Sequence, residues 1–122
     1  MKITAIDHVL IAIPPGSEQA GRDFYGSILG FSELPKPAEL IGRGGVWFTQ
    51  GKVTIHLGVE KDFRPAKKAH PAFLVEGLDE LIERCKQAGV KVSTDEPSLH
   101  GYIRVHVYDP YGNRLELMEA VE

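Results

Sequence analysis

The chain repeats itself. His8 and His70 stand 62 residues apart, His56 and Glu116 stand 60 apart, and Leu29-Gly30-Phe31 recurs as Ala88-Gly89-Val90. A period near 60 in a chain of 122 residues means two copies of one supersecondary unit rather than one irregular domain. Each copy must therefore form the same small set of elements, and the hydrophobic pattern says which. Ile3 to Ile13 is apolar and β-branched and stops at Pro14-Pro15-Gly16, which predicts a strand. Ser17 stands where an N-cap is needed, and Ala20, Phe24 and Ile28 recur every four residues before Gly30, which predicts an amphipathic helix. Phe31–Leu34 reads as a short strand, residues 35–45 as a Pro- and Gly-rich loop, and Val46–Gln50 and Lys52–Val59 as a hairpin turning at Gly51.

The second copy starts again after a polar stretch. Ala69–Val75 reads as a strand, and Leu78, Leu81, Ile82 and Cys85 mark a helix stopped by Gly89. Val90–Ser93 is a short strand followed by a polar loop. Tyr102–Tyr108 and Arg114–Glu119 are strands joined by the turn Asp109-Pro110-Tyr111-Gly112. The expected fold class is α+β: two βαβββ modules, residues 1–60 and 69–122, joined by a linker at 61–68 and forming one domain over 1–122.

Composition closes off other classes. No apolar run approaches the ~20 residues that span a bilayer. The 14 basic residues are dispersed and the net charge is −3, which argues against a nucleic-acid partner. A single cysteine, Cys85, excludes an internal disulfide framework and a Cys-rich zinc site, and its place on the apolar helix phase makes it a packing residue. The opening residues lack the charged head and apolar stretch of a secretory leader, so a cytoplasmic protein is expected.

Strand alternation places the chemistry. Val9, Ile11 and Ile13, then Ile55 and Leu57, Val105 and Val107, and Leu115 and Leu117 form apolar faces suited to packing on the helices. The opposite faces carry His8, His56, His70, His106, Arg104, Tyr108 and Glu116 among Ala, Gly and Leu. An ordinary solvated sheet face collects Lys, Thr and Glu instead. Two imidazoles and a carboxylate on one side of a divalent ion leave open positions for a substrate. His8, His70 and Glu116 supply that set, and His56 is either a fourth ligand or a base beside the ion.

These residues, in IDHVLIAI (6–13), FYGSILGF (24–31), HPAFLV (70–75) and DPYGNRLELME (109–119), resemble the vicinal oxygen chelate superfamily. That superfamily includes glyoxalases, bleomycin-resistance proteins and extradiol dioxygenases. The resemblance implies half-open mixed sheets around a cavity, with helices on the outer face. It implies one divalent metal ion per site (Zn, Ni, Co, Mn or Fe) held by His8, His70 and Glu116. It also implies a small-molecule substrate and a homodimer, which exposed strand edges favour as well. His56 falls where bacterial glyoxalase I carries a glutamate, so the catalytic pair implied is Glu116 and His56. Arg104, His106, Trp47 and Tyr108 are the implied substrate contacts, with Phe48 in the core. The activity implied is a glyoxalase-like lyase or isomerase. An Fe(II) dioxygenase, a thiol transferase and a non-catalytic binding protein of the same fold are the alternatives.

Overall fold

The computed structural model describes residues 1–94 and 97–121. Residues 95 and 96, in the polar loop expected before Tyr102, lie outside the described residues. The chain divides into two compact units, Met1–Phe63 and Arg64–Glu122.

In the first unit, β1 (Val9–Ile13) pairs in parallel with β4 (Val53–Val59), which pairs antiparallel with β3 (Val46–Gln50), which in turn pairs antiparallel with β2 (Ser32–Leu34). The sheet order is β1-β4-β3-β2. In the second unit, β5 (Ala72–Leu74), β6 (Val92–Ser93), β7 (Tyr102–Tyr108) and β8 (Arg114–Ala120) repeat this arrangement in the order β5-β8-β7-β6. Both sheets are mixed, with one parallel pair each. The α+β class and the strand–helix–three-strand module hold in both units.

The apolar faces behave as the alternation requires. Ile13, Phe48, Ile55 and Leu57 are buried in the first unit, and Val107, Leu115 and Leu117 in the second. In the first unit a helical turn, α1 (Glu18–Gly21), runs into a π-helix over Arg22–Ile28, whose Phe24 and Tyr25 are buried. Leu29 N–H reaches back five residues to Phe24 O at 3.0 Å. The steady spacing of four in Ala20, Phe24 and Ile28 suits this wider turn. In the second unit α2 (Leu78–Gln87) buries Leu78 and Cys85. Burial pushes the Cys85 thiol up, as its packing role requires.

Four local expectations are corrected. The first strand begins at Val9 rather than Ile3, because pairing with β4 begins at Val9 opposite Ile55 and Ile3 and Ile6 are exposed. Ser17 precedes α1 without capping it: its hydroxyl donates to Pro14 O instead, at 2.5 Å. The fifth strand is short, Ala72–Leu74, so His70 lies just outside it. Residues 35–45 contain a 3₁₀ helix over Ala38–Arg43.

The turn that joins β7 to β8 is tightly built. Asp109 Oδ1 accepts from the Tyr111 and Asn113 N–H groups at 3.0 and 2.8 Å, and Oδ2 accepts from Asn113 Nδ2 at 3.0 Å. Asn113 Oδ1 in turn accepts from Ala66 N–H at 2.9 Å. Asp109 and Asn113 are buried, so the Asp-Pro-Tyr-Gly-Asn run fixes the register of the hairpin.

Candidate metal centre

Because β7 and β8 are in register, His106 lies opposite Glu116. Parallel pairing sets Ala72 beside Glu116, and His70 precedes Ala72 by two residues on the same side. The result is a cluster within the second unit. His70 Nε2 lies 3.0 Å from Glu116 Oε1, and His106 Nε2 lies 3.3 Å from the same oxygen. The ligand atoms of His70, His106 and Glu116 all fall within 4.8 Å of one another.

The donor chemistry fits a cation. His70 Nδ1 lies 2.8 Å from the Lys68 carbonyl oxygen, which can only accept, so Nδ1 carries the proton. In the neutral ring, Nε2 then presents a lone pair to a carboxylate oxygen at hydrogen-bond distance. Two acceptors meet there unless a positive centre, a proton or a metal ion, lies between them. Bonds of about 2.1 Å at right angles place neighbouring donors about 3.0 Å apart, which matches the spacing found. The ring planes of His70 and His106 stand at 77°, with centroids 5.2 Å apart. Planes that cross steeply can aim two in-plane lone pairs at one point.

Arg104 completes the cluster from β7. Its Nη1 donates to Glu116 Oε2 at 3.3 Å, while Nε and Nη2 donate to Pro97 O at 3.2 and 2.7 Å. One carboxylate oxygen is thus held by the guanidinium and the other faces the histidines. Burial pushes the Glu116 carboxyl up. The His70 contact, with a proton between the two atoms, and the hydrogen bond and charge of Arg104 outweigh that and hold it below the usual carboxylate range. Glu116 is therefore ionised at neutral pH despite its burial. Tyr108 is half-buried on the same strand phase, with Lys91 Nζ 5.0 Å from its ring centre.

The first unit builds something else from the equivalent positions. Trp47 lies opposite His56 across β3 and β4, just as His106 lies opposite Glu116. Leu10 lies beside His56, as Ala72 lies beside Glu116, and His8 precedes Leu10 by two residues. Here the side chains stack face to face. The His8 and His56 ring centres are 3.9 Å apart at 18°, and those of Trp47 and His56 are 3.8 Å apart at 3°. Burial, reinforced by His8, lowers the His56 pKa, and Asp7 works against that shift. Asp7 Oδ2 lies 2.9 Å from His8 Nδ1, which leaves Nε2 as the free lone pair of the neutral His8 ring.

The site residues expected from the sequence thus fall into two groups. His70, Glu116, His106 and Arg104 come together in the second unit, and His8, His56 and Trp47 in the first. The sequence assigns His106 to substrate contact, and in the structure its Nε2 also lies within the donor cluster. The signal that would have found this is the 59-residue offset between Trp47 and His106, which extends the repeat to a third position. Phe48 is buried, in line with its expected core role.

Fold and site together define a class of small, two-module domains with a His-His-Glu cluster that could hold a metal ion. The model of the Glyoxalase/Bleomycin resistance protein/Dioxygenase superfamily matches residues 5–117, and the chain belongs to this superfamily. It is similar to the crystal structure of a protein described as a glyoxalase family member from Bacillus anthracis. The identity is 47%, the TM-score 0.94, and the coverage 99% of this chain and 98% of that one. A glyoxalase family protein from Enterococcus faecalis is 26% identical, with a TM-score of 0.73 over 98% of this chain and 100% of that one. The fold is shared with the fosfomycin resistance protein FosX from Listeria monocytogenes, a variant of which was solved with Mn(II) and 1S,2S-dihydroxypropylphosphonic acid. That match is 20% identical, with a TM-score of 0.74 over 95% of this chain and 90% of that one. None of the curated proteins matches the chain. Among the described residues, no helix is long and apolar enough to cross a membrane.

Proposed function

We propose that this chain is a metal-dependent enzyme, a glyoxalase-like lyase or isomerase, acting on a small substrate that presents two adjacent oxygens. The observation that carries the reading is the convergence of His70 Nε2, His106 Nε2 and Glu116 Oε1 around one point. These residues would hold one divalent ion, and the family resemblance, rather than the geometry, adds His8 as a ligand through Nε2. When bound, the ion supplies a Lewis acid that stabilises negative charge developing on the substrate oxygens. Glu116 contributes the negative charge of the donor set and accepts a proton from the substrate. Arg104 keeps that carboxylate ionised and fixes which of its oxygens faces the ion. Trp47 and Tyr108 are substrate contacts, as the family resemblance implies. The protein works in the cytoplasm as a homodimer whose chains are each a single two-module domain.

The test is elemental analysis of protein purified without a metal-affinity tag, followed by assays on α-hydroxycarbonyl and hemithioacetal substrates before and after chelation. One equivalent of metal per chain, with turnover lost on chelation and restored on reloading, supports the reading. A protein that takes up none of Mn, Fe, Co, Ni or Zn contradicts it and leaves a binding protein of the same fold.

A further inference from the structure

The repeat assigns His56 the position that Glu116 occupies in the second unit, which makes it look like a ligand. The ring geometry argues against that. A metal ion sits close to the plane of the imidazole that binds it, about 2.0–2.1 Å from the nitrogen. His8 and His56 are stacked at 3.9 Å with only 18° between their planes. Nearly parallel planes at that separation meet far beyond the reach of such bonds. An ion in the plane of His8 therefore lies well off the plane of His56, where His56 has no lone pair to offer. The contrast with the 77° between His70 and His106 is direct.

His56 instead forms the middle of a three-ring stack. Trp47 covers one face at 3.8 Å and 3°, and His8 lies against the other. His8 precedes β1 and is exposed, so no ladder hydrogen bonds hold its backbone as they hold Leu10. Two side-chain contacts orient its ring: Asp7 at Nδ1 in the ring plane, and His56 across the ring face. The first selects which nitrogen is free, and the second fixes the plane in which that nitrogen points. We propose that His56 is a positioning residue that clamps the His8 imidazole between Asp7 and the Trp47-backed stack, rather than a ligand or a base. The proposal rests on the reading of His8 as a metal ligand. Ligand-orienting partners of this kind are worth about 10–100-fold in metal affinity when removed.

The distinguishing experiment is a cobalt(II) titration of the full chain, followed by visible absorption and by the emission of Trp47, the sole tryptophan. His56→Phe keeps a flat ring but has no donor atom, whereas His56→Ala removes both. The clamp predicts that His56→Phe binds cobalt within about threefold of wild type and with the same ligand-field bands. It predicts that His56→Ala binds about 10–100-fold more weakly. Cobalt should shift the Trp47 emission in wild type and in His56→Phe. Should His56→Ala fail to fold, His56→Leu takes its place, since it keeps volume without a ring face. Equal losses in His56→Phe and His56→Ala would make His56 a ligand and overturn the clamp. Unchanged affinity in His56→Ala would make it a wall residue and also overturn it. Glu116→Ala separates this failure from that of the metal reading. If wild type takes up no cobalt, or Glu116→Ala binds as well as wild type, the metal centre itself falls and the clamp with it.

Discussion

The two units place the same three backbone positions in the same register and fill them with different chemistry. In the second unit they hold His70, Glu116 and His106, whose donor atoms converge. In the first they hold His8, His56 and Trp47, whose rings stack. Replacing a carboxylate by imidazole and imidazole by indole turns edge-on donors into face-on contacts. The angle between planes, 77° in one unit and 18° in the other, lets His70 and His106 aim at one point and keeps His8 and His56 from doing so. A duplicated fold can thus keep its backbone register while its two copies present different side-chain geometry.

The sharpest way to break the comparison is to remove one member from each set. Glu116→Ala takes away a ligand and leaves Arg104 without its buried partner, so metal affinity measured by titration calorimetry should fall by more than about 100-fold. Trp47→Ala, at the backing position of the first set, should cost about tenfold or less. A loss for Trp47→Ala as large as that for Glu116→Ala would mean that the two sets are not divided as described.

Next in size is a backbone difference. Gly45 and Gly101 stand immediately before β3 and β7, both at φ +84°. A Cβ on Gly45 would come within 2.2 Å of the Leu57 carbonyl oxygen, whereas one on Gly101 meets nothing within 4 Å. Gly45→Ala should destabilise the protein by about 3 kcal/mol or more, and Gly101→Ala by about 1 kcal/mol, the left-handed backbone alone. Urea midpoints measure both.

The smallest expected effect is in acid stability, where the two units should differ in onset. His56 titrates below its ordinary 6.5 in the folded state, so the unfolded chain takes up its proton first. Stability in the first unit is full above about 6.5 and falls as pH drops through the lower folded value. Glu116 titrates below its ordinary 4.5, so its contribution in the second unit persists to more acid pH and is lost only as pH falls through its own folded value. Amide exchange in the metal-free protein should show β4 loosening before β8 on acidification. His56→Phe should remove the first phase and Glu116→Gln the second.

Much of this was legible in the sequence because strand alternation has a fixed period and the repeat doubles every observation. The strands, the buried faces and the grouping of His70 with Glu116 all follow from it. Plane angles do not. Whether His56 meets His8 edge-on or face-on depends on side-chain torsions and on Trp47 behind it, and no spacing rule encodes these. The closeness of His106 to Glu116 is hidden for a different reason: along its own strand it reads as a neighbour of Arg104, and only across the ladder does it face Glu116. The start of β1 at Val9 was hidden because Ile3 and Ile6 are apolar yet exposed, so hydrophobicity alone overran the end of the pairing.

The assignment of His56 as an orienting ring rather than a ligand is tested most directly by nitrogen-15 spectra of the histidine rings during a zinc titration. Coordination shifts the ring nitrogen that binds the ion and leaves an uncoordinated ring near its starting position. The account predicts that the Nε2 signals of His70, His106 and His8 move to saturation with one equivalent of zinc, while both nitrogens of His56 stay in place. A coordination shift at His56, with His106 unmoved, would contradict it.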